Sequence, residues 1–336
     1  MAAVSVKDVA RRAGVSVGTV SNVMNHPDKV APATVLRVQA AIEDLGFIRN
    51  DAARQLREGR SKTIGLVVLD VRNPFFTDVA RGAEDRAAEA GLAVTLGNSD
   101  EDTQREATYL DLFEQQRVHG ILISPYADIT PRLHALRARG IPVVLVDRTS
   151  QDASVSSVSV DDVSGGSMAV EHLLAQGRRR IVFVGGPLDI RQFADRLEGA
   201  RRAVAGHPDA SLETITLDGA TVIEGRRAGA AIAASDAASR PDAVFAANDL
   251  VSMGVLQALI MRGSPVRVPE DVAIIGYDDI DFASASVVPL SSIRQPSALI
   301  GATAVQILLE EAADSTIAPR QVEFQPELVV RDSTVR

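Results

Sequence analysis

The sequence of 336 residues contains no cysteine and no tryptophan. Without cysteine, disulfide bonds and zinc or iron–sulfur sites held by thiolates are excluded, and no oxidising compartment is indicated. No run of about 18 apolar residues is present to span a bilayer. The N-terminal stretch MAAVSVKDVARRAGV lacks the basic start, apolar core and cleavage pattern of a secretory signal. We therefore expect a cytoplasmic protein that makes no contact with a membrane.

A net basic charge is also missing, because 35 lysines and arginines stand against 44 aspartates and glutamates, giving a formal net charge of -9. An acidic chain at first argues against nucleic-acid binding, since contact with phosphates requires cationic side chains. The charge is uneven, however: residues 1–62 contain ten basic and six acidic residues, whereas residues 63–336 contain 25 and 38. A small basic head on a large acidic body indicates a nucleic-acid-binding unit attached to a second domain.

Signatures of catalysis are absent as well. No GxxxxGK[ST] or GxGxxG phosphate loop and no HExxH helix occur, and the five histidines are scattered. The acidic pairs Asp161-Asp162 and Asp278-Asp279 could form a catalytic dyad, but helix capping or sugar binding explains them better. The sequence therefore does not indicate an enzyme, and it indicates no cofactor and no metal site.

The head begins with two short helical segments. In VKDVARRAG the apolar residues recur at helical spacing, Gly14 can adopt the positive φ of a tight turn, and Ser16 is a good N-cap for VGTVSNVMN. A third amphipathic helix, PATVLRVQAAIEDLG, has Pro32 in its first turn and Gly46 as terminator. This pattern predicts a three-helix unit of the helix-turn-helix type. A small helical bundle used for protein contacts is the alternative.

The second helix separates into two faces at about 100° per residue. One side is predicted core: Val20, Val23 and Met24. The opposite, exposed side carries one valine and several short polar residues: Val17, Gly18, Ser21, Asn22 and Asn25. Val17 can contact a thymine methyl group, Gly18 lets the backbone approach DNA, and Asn22 can hydrogen-bond to base edges. The uncharged helix can therefore select sequence while cations elsewhere supply affinity.

The segment FIRNDAARQLREGRSKT connects the head to the first strand of the body. Asn50 can cap a short helix that Gly59 ends, and about eight residues are too few for a helix that is stable alone in water. Leu56 lies among basic residues in this segment, and an apolar wedge among cations is typical of minor-groove binders that kink the duplex. A packing role for Leu56 is the alternative.

Together these segments resemble the lactose/galactose-repressor family of bacterial transcription factors. The resemblance is carried by VSVKDVARRAGVSVGTVSNVMN, GFIRNDAARQLREGRSKTIGLVV and NPFF, and it covers essentially the whole chain. It implies a nucleoid-associated homodimer that inserts the second helix of each head into the major groove of a pseudo-palindromic operator in double-stranded DNA. It also implies paired hinge helices that enter the central minor groove.

Matching positions of the family imply a set of DNA-binding residues. Base reading falls on Val17, Gly18 and Asn22, with Thr19, Ser21 and Asn25 as phosphate or methyl contacts. The hinge contacts fall on Asn50, Ala53, Leu56 and Arg57. The remaining members of the predicted set are Ser5, Lys7, Ser16 and Lys29. Family members often have larger polar side chains where this chain has valine and glycine in the reading helix, so the operator sequence is not predicted.

From Thr63 onward, apolar strand-like runs alternate with helical patterns, as in TIGLVVLD, GILISP, IPVVLVDR, RIVFVGG and VAIIGYDD. This alternation predicts parallel α/β sheets, and about 270 residues exceed one comfortable core, so we expect two lobes. The predicted domains are the helix-turn-helix head, 1–49; the hinge helix and linker, 50–62; and the ligand-binding and dimerisation domain, 63–336. Its lobes are predicted at about 63–160 with 293–322, and about 161–292 with 323–336. The tail QPELVVRDSTVR is predicted to form a final strand, and it lacks the leucine heptads of a coiled-coil tetramer.

Open parallel sheets bind ligands beyond the carboxyl ends of their strands. Aromatic, acidic, amide and guanidinium residues follow the predicted strands: Asn73, Phe75, Phe76, Asp147, Arg148, Arg191, Arg196, Asn248, Asp278 and Gln295. Sugar C–H faces stack on phenylalanine rings while polar groups pair with hydroxyls, so this chemistry predicts a polyol ligand. The body also resembles two-lobed periplasmic sugar-binding proteins, and all of these residues except Arg191 match sugar-contacting positions of the ribose type.

We therefore predict a repressor whose operator affinity depends on a small-molecule effector, a monosaccharide, with a ribose-like pentose favoured. A purine or nucleoside effector, a protein corepressor and a free-standing sugar-binding receptor are the alternatives. The absence of tryptophan disfavours a flat base sandwiched between aromatic rings. The basic head and the missing signal sequence disfavour a receptor.

Overall fold

The computed structural model describes residues 4–47, 61–261, 264 and 266–335 of the chain. The chain divides into two compact units, Met1–Arg60 and Ser61–Arg336. The predicted hinge contacts lie outside the described residues: Asn50, Ala53, Leu56 and Arg57. None of the helices described is long and apolar enough to cross a membrane.

The described part of the first unit contains three α-helices: α1 (Val6–Ala13), α2 (Val17–Asn25) and α3 (Pro32–Leu45). Gly14 and Gly46 end α1 and α3 in the left-handed region, with φ of 64° and 58°. Ser16 caps α2, because its hydroxyl accepts a hydrogen bond from the Thr19 N–H at 3.0 Å. A single 3-10 turn, Pro27–Lys29, connects α2 to α3. The predicted three-helix architecture of the head is confirmed.

Small aliphatic side chains from all three helices form the core of the head. The buried members are Val9, Ala10, Ala13, Val20, Val23, Val38 and Ala41. Met24, which the helical pattern also predicts as core, is half-buried and packs against this cluster. The three alanines let the helices approach closely, so a small unit can close around one core.

The described part of the second unit contains two six-stranded sheets. The first sheet has, in spatial order, β11 (Gln321–Phe324), β5 (Ser156–Val160), β4 (Val143–Val146), β3 (Gly120–Ile123), β1 (Thr63–Val68) and β2 (Ala93–Asn98). The second has β12 (Glu327–Val329), β10 (Ser291–Arg294), β9 (Ala273–Asp278), β8 (Ala243–Ala246), β6 (Arg180–Gly185) and β7 (Ser211–Thr216). The pairings are parallel except β10–β12, as the continuous apolar runs predict.

Helices follow most of these strands and cover the sheets. They are α4 (Pro74–Glu89), α5 (Thr103–Gln115), α6 (Thr130–Ala138), α7 (Asp162–Ala175), α8 (Arg191–Ala205), α9 (Val222–Ala234), α10 (Asp249–Ile260), α11 (Asp281–Ser284) and α12 (Ser297–Ala313). Each sheet with its helices forms one lobe, called here the first lobe and the second lobe after their order in the chain. The predicted two-lobed parallel α/β body is confirmed.

Within the described residues the chain passes between the lobes three times, after β5, after β10 and after β11. Strand β10 keeps Ile293 and Arg294 in the second sheet, and β11 keeps Glu323 and Phe324 in the first. The second and third crossings therefore lie about two residues beyond the predicted lobe boundaries. Strand β11 was not predicted, because its sequence QVEF is short and half polar, as suits a half-exposed edge strand.

Glycines bring three pairs of helices into backbone contact. In the first lobe, a Cβ atom added at Gly82 of α4 would lie 1.9 Å from the Ala298 carbonyl oxygen of α12. One added at Gly301 of α12 would lie 1.9 Å from the Val79 carbonyl oxygen of α4. The same reciprocal arrangement joins α7 to α8 and α9 to α10 in the second lobe. Each lobe is therefore packed too tightly at these crossings for any side chain.

Replacing Gly301 with alanine is expected to destabilise the protein by about 1–3 kcal/mol, because the new methyl group forces α12 away from α4. Urea denaturation followed by circular dichroism measures the change in the free energy of unfolding. The matched control is Gly206→Ala, where the nearest atom to the new Cβ is 3.7 Å away and φ is -78°. Equal stability of the Gly301→Ala variant and the wild type would contradict the packing argument.

Candidate functional site

A cavity lies between the two lobes at the carboxyl ends of the strands, where open parallel sheets bind their ligands. The first lobe contributes Leu69, Asp70, Asn73, Phe75, Phe76, Glu101 and Asp147 to its lining. The second lobe contributes Ile190, Gln192, Phe193, Arg196, Ala220, Asn248 and Asp278. Apolar walls with a few convergent polar groups are the composition of a small-molecule site.

An aromatic wall of the cavity is built at the start of α4. Asn73 caps this helix, accepting a hydrogen bond from the Phe75 N–H at 3.1 Å, and Pro74 occupies its first turn. The rings of Phe75 and Phe76 are buried and meet edge to face, with centroids 5.1 Å apart. This geometry fixes two ring surfaces beside the cavity, and such surfaces accept the C–H face of a sugar.

Hydrogen bonds between polar side chains join the two lobes across the cavity. The Asn73 amide of the first lobe donates to Asp278 Oδ2 of the second lobe at 2.9 Å. From the second lobe, Gln192 Nε2 donates to the backbone oxygen of Asp147 at 2.6 Å and to its Oδ2 at 2.9 Å. The groups that hold the lobes together are thus groups that a ligand in the cavity can contact.

Arg196 is the central cation of the site and is 3% exposed. Its Nε donates to Asp162 Oδ1 at 2.8 Å, and its Nη1 donates to the Ala247 carbonyl at 2.7 Å and lies 3.8 Å from Asp278 Oδ1. The guanidinium carbon lies 3.7 Å from the centroid of the Tyr277 ring. These contacts fix the guanidinium group at one position, as recognition of successive hydroxyls requires.

The strand-end residues Asp147 and Asp278 both have positive φ, 59° and 103°, a strained conformation for a residue with a side chain. Asp278 accepts hydrogen bonds from Asn73 and from Gln295 Nε2, the latter at 2.8 Å. Asp147 Oδ1 is buried and has no hydrogen-bond partner among the described residues. Burial raises the pKa of both carboxyl groups. An unsatisfied acceptor in a cavity is a natural partner for a ligand hydroxyl.

Most residues predicted to contact the ligand come together in the structure. Seven of them line the cavity: Asn73, Phe75, Phe76, Asp147, Arg196, Asn248 and Asp278. Gln295 is not part of the lining, but it holds the carboxyl group of Asp278. Asn248 caps α10 by accepting from the Val251 N–H at 2.9 Å, so it has a structural role as well.

Arg148 and Arg191 depart from the prediction, because neither side chain lines the cavity. The Arg148 guanidinium donates to the Pro125 and Ala127 carbonyls at 3.2 and 3.1 Å. These carbonyls lie in the loop that follows strand β3. Arg191 is exposed at the start of α8 and pairs with Asp195 one turn later, at 3.3 Å.

Three polar residues of the lining were not predicted from the sequence: Asp70, Glu101 and Gln192. Gln192 follows the predicted Arg191, and only the rotation of the helix decides which of the two faces inward. Asp70 and Glu101 follow strands β1 and β2, so the rule of strand ends indicates both. An acid-rich stretch such as NSDED, however, is more often a solvated loop.

The α2 face predicted to read DNA is open to solvent in the head. Val17 is 42% exposed, and Asn25 Nδ2 donates to Ser21 Oγ at 3.2 Å. The predicted DNA-binding residues that are exposed are Ser5, Lys7, Ser16, Val17, Gly18, Asn22, Asn25 and Lys29. Thr19 and Ser21 are half-buried. This face presents short side chains and leaves a backbone surface that can approach a groove closely.

Two family descriptions match the chain. "Bacterial regulatory proteins, lacI family" matches residues 5–50, and "Periplasmic binding protein-like domain" matches residues 170–334. The first match covers the described three-helix head. The second lies mostly in the second lobe and includes α12 and β11 of the first.

Known proteins are similar over the whole length. The chain is 35% identical over 339 residues to the HTH-type transcriptional repressor PurR of Photobacterium profundum, with 98% of both chains covered. It is 33% identical over 334 residues to the ribose operon repressor of Escherichia coli, covering 98% of this chain and 99% of the relative. The solved lac repressor dimer bound to operator and the anti-inducer ONPF is similar with a TM-score of 0.84 and 26% identity, covering 100% of both chains.

Proposed function

Because this chain belongs to the lacI family of bacterial regulatory proteins, we propose that it represses transcription by binding operator DNA under the control of a small ligand. The observation that carries the proposal is the cavity whose polar lining also joins the lobes by hydrogen bonds. A ligand that occupies this cavity must contact or replace those bonds. Its binding therefore changes how the two lobes are held together.

For DNA recognition, the exposed side of α2 is the proposed reading surface. Asn22 supplies hydrogen bonds to base edges and Val17 contacts a thymine methyl group. Lys7 and Lys29 supply phosphate contacts, which set affinity without reading sequence. The operator-bound lac repressor dimer is a similar structure, which supports a homodimer that places two such heads on one operator. The minor-groove role of Leu56 remains a prediction.

A monosaccharide is the proposed effector, with a ribose-like pentose favoured. The cavity combines the Phe75 and Phe76 rings with carboxyl, amide and guanidinium groups. Such a lining can stack a sugar ring and pair with its hydroxyls. A relative named as the ribose operon repressor supports this assignment.

Regulation follows from the linkage between ligand and lobe closure. If the effector binds the closed and open arrangements unequally, it shifts their populations, and a coupling of about 1–3 kcal/mol is typical. This shift in the lobe arrangement changes the affinity of the paired heads for the operator. The activity is regulatory rather than enzymatic, and we place the protein in the cytoplasm because its target is chromosomal DNA.

A thermal-shift screen of the full chain with pentoses, hexoses, nucleosides and purines tests the effector proposal. D-Ribose is expected to raise the midpoint of unfolding, since a ligand at 100 times its Kd adds about 2.7 kcal/mol. Phe76→Leu should reduce this shift, because it removes a stacking ring. Phe282→Leu should not, because Phe282 is 56% exposed on α11 and does not line the cavity. A shift with a purine and none with any monosaccharide would refute the sugar proposal.

A further inference from the structure

Glu101 reaches the ligand cavity from the loop between β2 and α5. Asp100 and Glu101 both have left-handed backbone conformations, with φ of 53° and 57°. Two successive strained residues persist only where the surroundings hold them. Asp102 fixes the end of the loop by accepting from the Gln104 and Arg105 N–H groups at 2.8 and 2.9 Å. The loop thus holds the backbone of Glu101 in a defined conformation at the edge of the cavity.

Neighbouring acids are paired with arginine, whereas Glu101 is not. Arg72 Nε donates to both oxygens of Asp70, at 2.8 and 3.1 Å, and Arg72 Nη2 donates to Asp100 Oδ1 at 3.0 Å. Arg105 donates to the other oxygen of Asp100 at 3.1 Å. In the part of the chain that the structure describes, these ion pairs leave the Glu101 carboxyl group without a hydrogen-bond or ion-pair partner.

The rest of the lining has the same excess of acceptors. Asp147 is 4% exposed, and its Oδ1 also lacks a partner among the described residues. Arg196 is the one cationic residue of the lining described, and its guanidinium group already donates to Asp162 and Ala247. Buried acceptors require donors. A ligand must therefore bring donors to this cavity.

We propose that Glu101 is a specificity-determining residue of the ligand site, which selects ligands that direct a hydroxyl or amino group toward the β2–α5 loop. The assignment rests on the proposed function, since it requires that the cavity bind the effector. A donor placed there forms a charge-assisted hydrogen bond with the carboxylate. A ligand without a donor at that edge leaves the carboxylate desolvated and unpaired, and a site of this kind rejects such ligands strongly.

A pH dependence of ligand affinity follows. Burial, together with the charges of Asp70 and Asp100, raises the pKa of Glu101 to about 7, against the opposing effect of Arg72. Across the cavity, Asp147, Arg196 and Asp278 complete its charged lining. A donated hydrogen bond stabilises the ionised form, so binding lowers the pKa of Glu101. Below pH 7 the ligand must therefore displace a proton, and its affinity rises as the pH increases through about 7.

Isothermal titration calorimetry of the full-length protein tests this assignment, with D-ribose first and then any other monosaccharide that stabilises the wild type in the thermal-shift screen. Wild-type affinity is expected to be about 10-fold higher at about pH 8 than at about pH 6. Glu101→Gln should bind about 10-fold more weakly at the higher pH and lose the pH dependence. Glu101→Asp should keep the pH dependence. Glu198→Gln is the control, because it removes a surface carboxylate of α8 that pairs with Arg202 and does not line the cavity, so it should keep the pH dependence too.

The outcomes separate the two proposals. If no monosaccharide binds the wild type, both the sugar effector and the role of Glu101 are overturned. If a monosaccharide binds and Glu101→Gln changes neither its affinity nor its pH dependence, the role of Glu101 alone is overturned. Loss of the pH dependence in Glu198→Gln would also overturn it, because the effect would then belong to the general charge of the protein.

Discussion

Replacing Arg196 with leucine is expected to lower the free energy of unfolding by about 3–5 kcal/mol and to abolish effector binding. The side chain is 3% exposed and pairs with Asp162, which is 8% exposed. Its removal leaves buried carboxyl groups of Asp162 and Asp278 without their cation, and it also removes the stack on Tyr277. Urea denaturation measures the first effect, and calorimetry with D-ribose measures the second.

The control for this variant lies on the same helix. Arg202 pairs with Glu198 at the surface, with side-chain exposures of 63% and 45%, so Arg202→Leu should change stability by no more than about 0.5 kcal/mol. Adding Asp162→Asn to Arg196→Leu should recover part of the lost stability, because one uncompensated charge is then neutral. Equal stability of the Arg196 and Arg202 variants would show that the buried pair is not the cause.

Asn22→Ala is expected to weaken operator binding by about 1–3 kcal/mol, roughly 5- to 150-fold, because the variant loses the hydrogen bonds to a base edge. Fluorescence anisotropy measures the loss, with a duplex that the wild-type protein selects from a random pool. Asn22 is exposed on α2, so neither the stability of the head nor ribose binding should change.

Gln39→Ala provides the matched control for the head. Gln39 is also exposed, but it lies on α3, outside the predicted DNA-binding set. Its removal should leave affinity for the selected duplex unchanged. Full affinity of Asn22→Ala for that duplex would remove Asn22 from the reading surface.

The sequence predicts the architecture well because its signals are local and repeated. Gly14, Ser16 and Gly46 mark helix ends by their backbone chemistry, and each has that role in the structure. Continuous apolar runs such as VVLV and AVFA correspond to fully buried parallel strands. Edge strand β11 has no such signal, because half of its residues face solvent.

The sequence predicts residues of the cavity most directly where they follow the end of a strand. Asp147 and Asp278 close strands directly, so the rule of carboxyl ends indicates both. Gln192 and Arg191 are neighbours in the sequence, and the rotation of α8 separates their roles. Arg148 follows Asp147, but its guanidinium group binds the Pro125 and Ala127 carbonyls. Which of two neighbouring side chains enters the cavity depends on contacts with residues distant in the sequence, and no local pattern encodes those contacts.

Within the part of the chain that the structure describes, the three crossings between the lobes limit the motions by which the body can signal to the head. Two of them are tied together, because the Asp161 N–H donates to the Phe324 carbonyl at 3.0 Å. Parallel connections of this kind favour rotation about a common axis and resist independent sliding, as in hinged closure. The closure angle between the two lobes is then the one quantity through which the body acts on the head. Chemically different effectors that produce the same angle are equivalent to the DNA, so discrimination among ligands must be completed in the cavity.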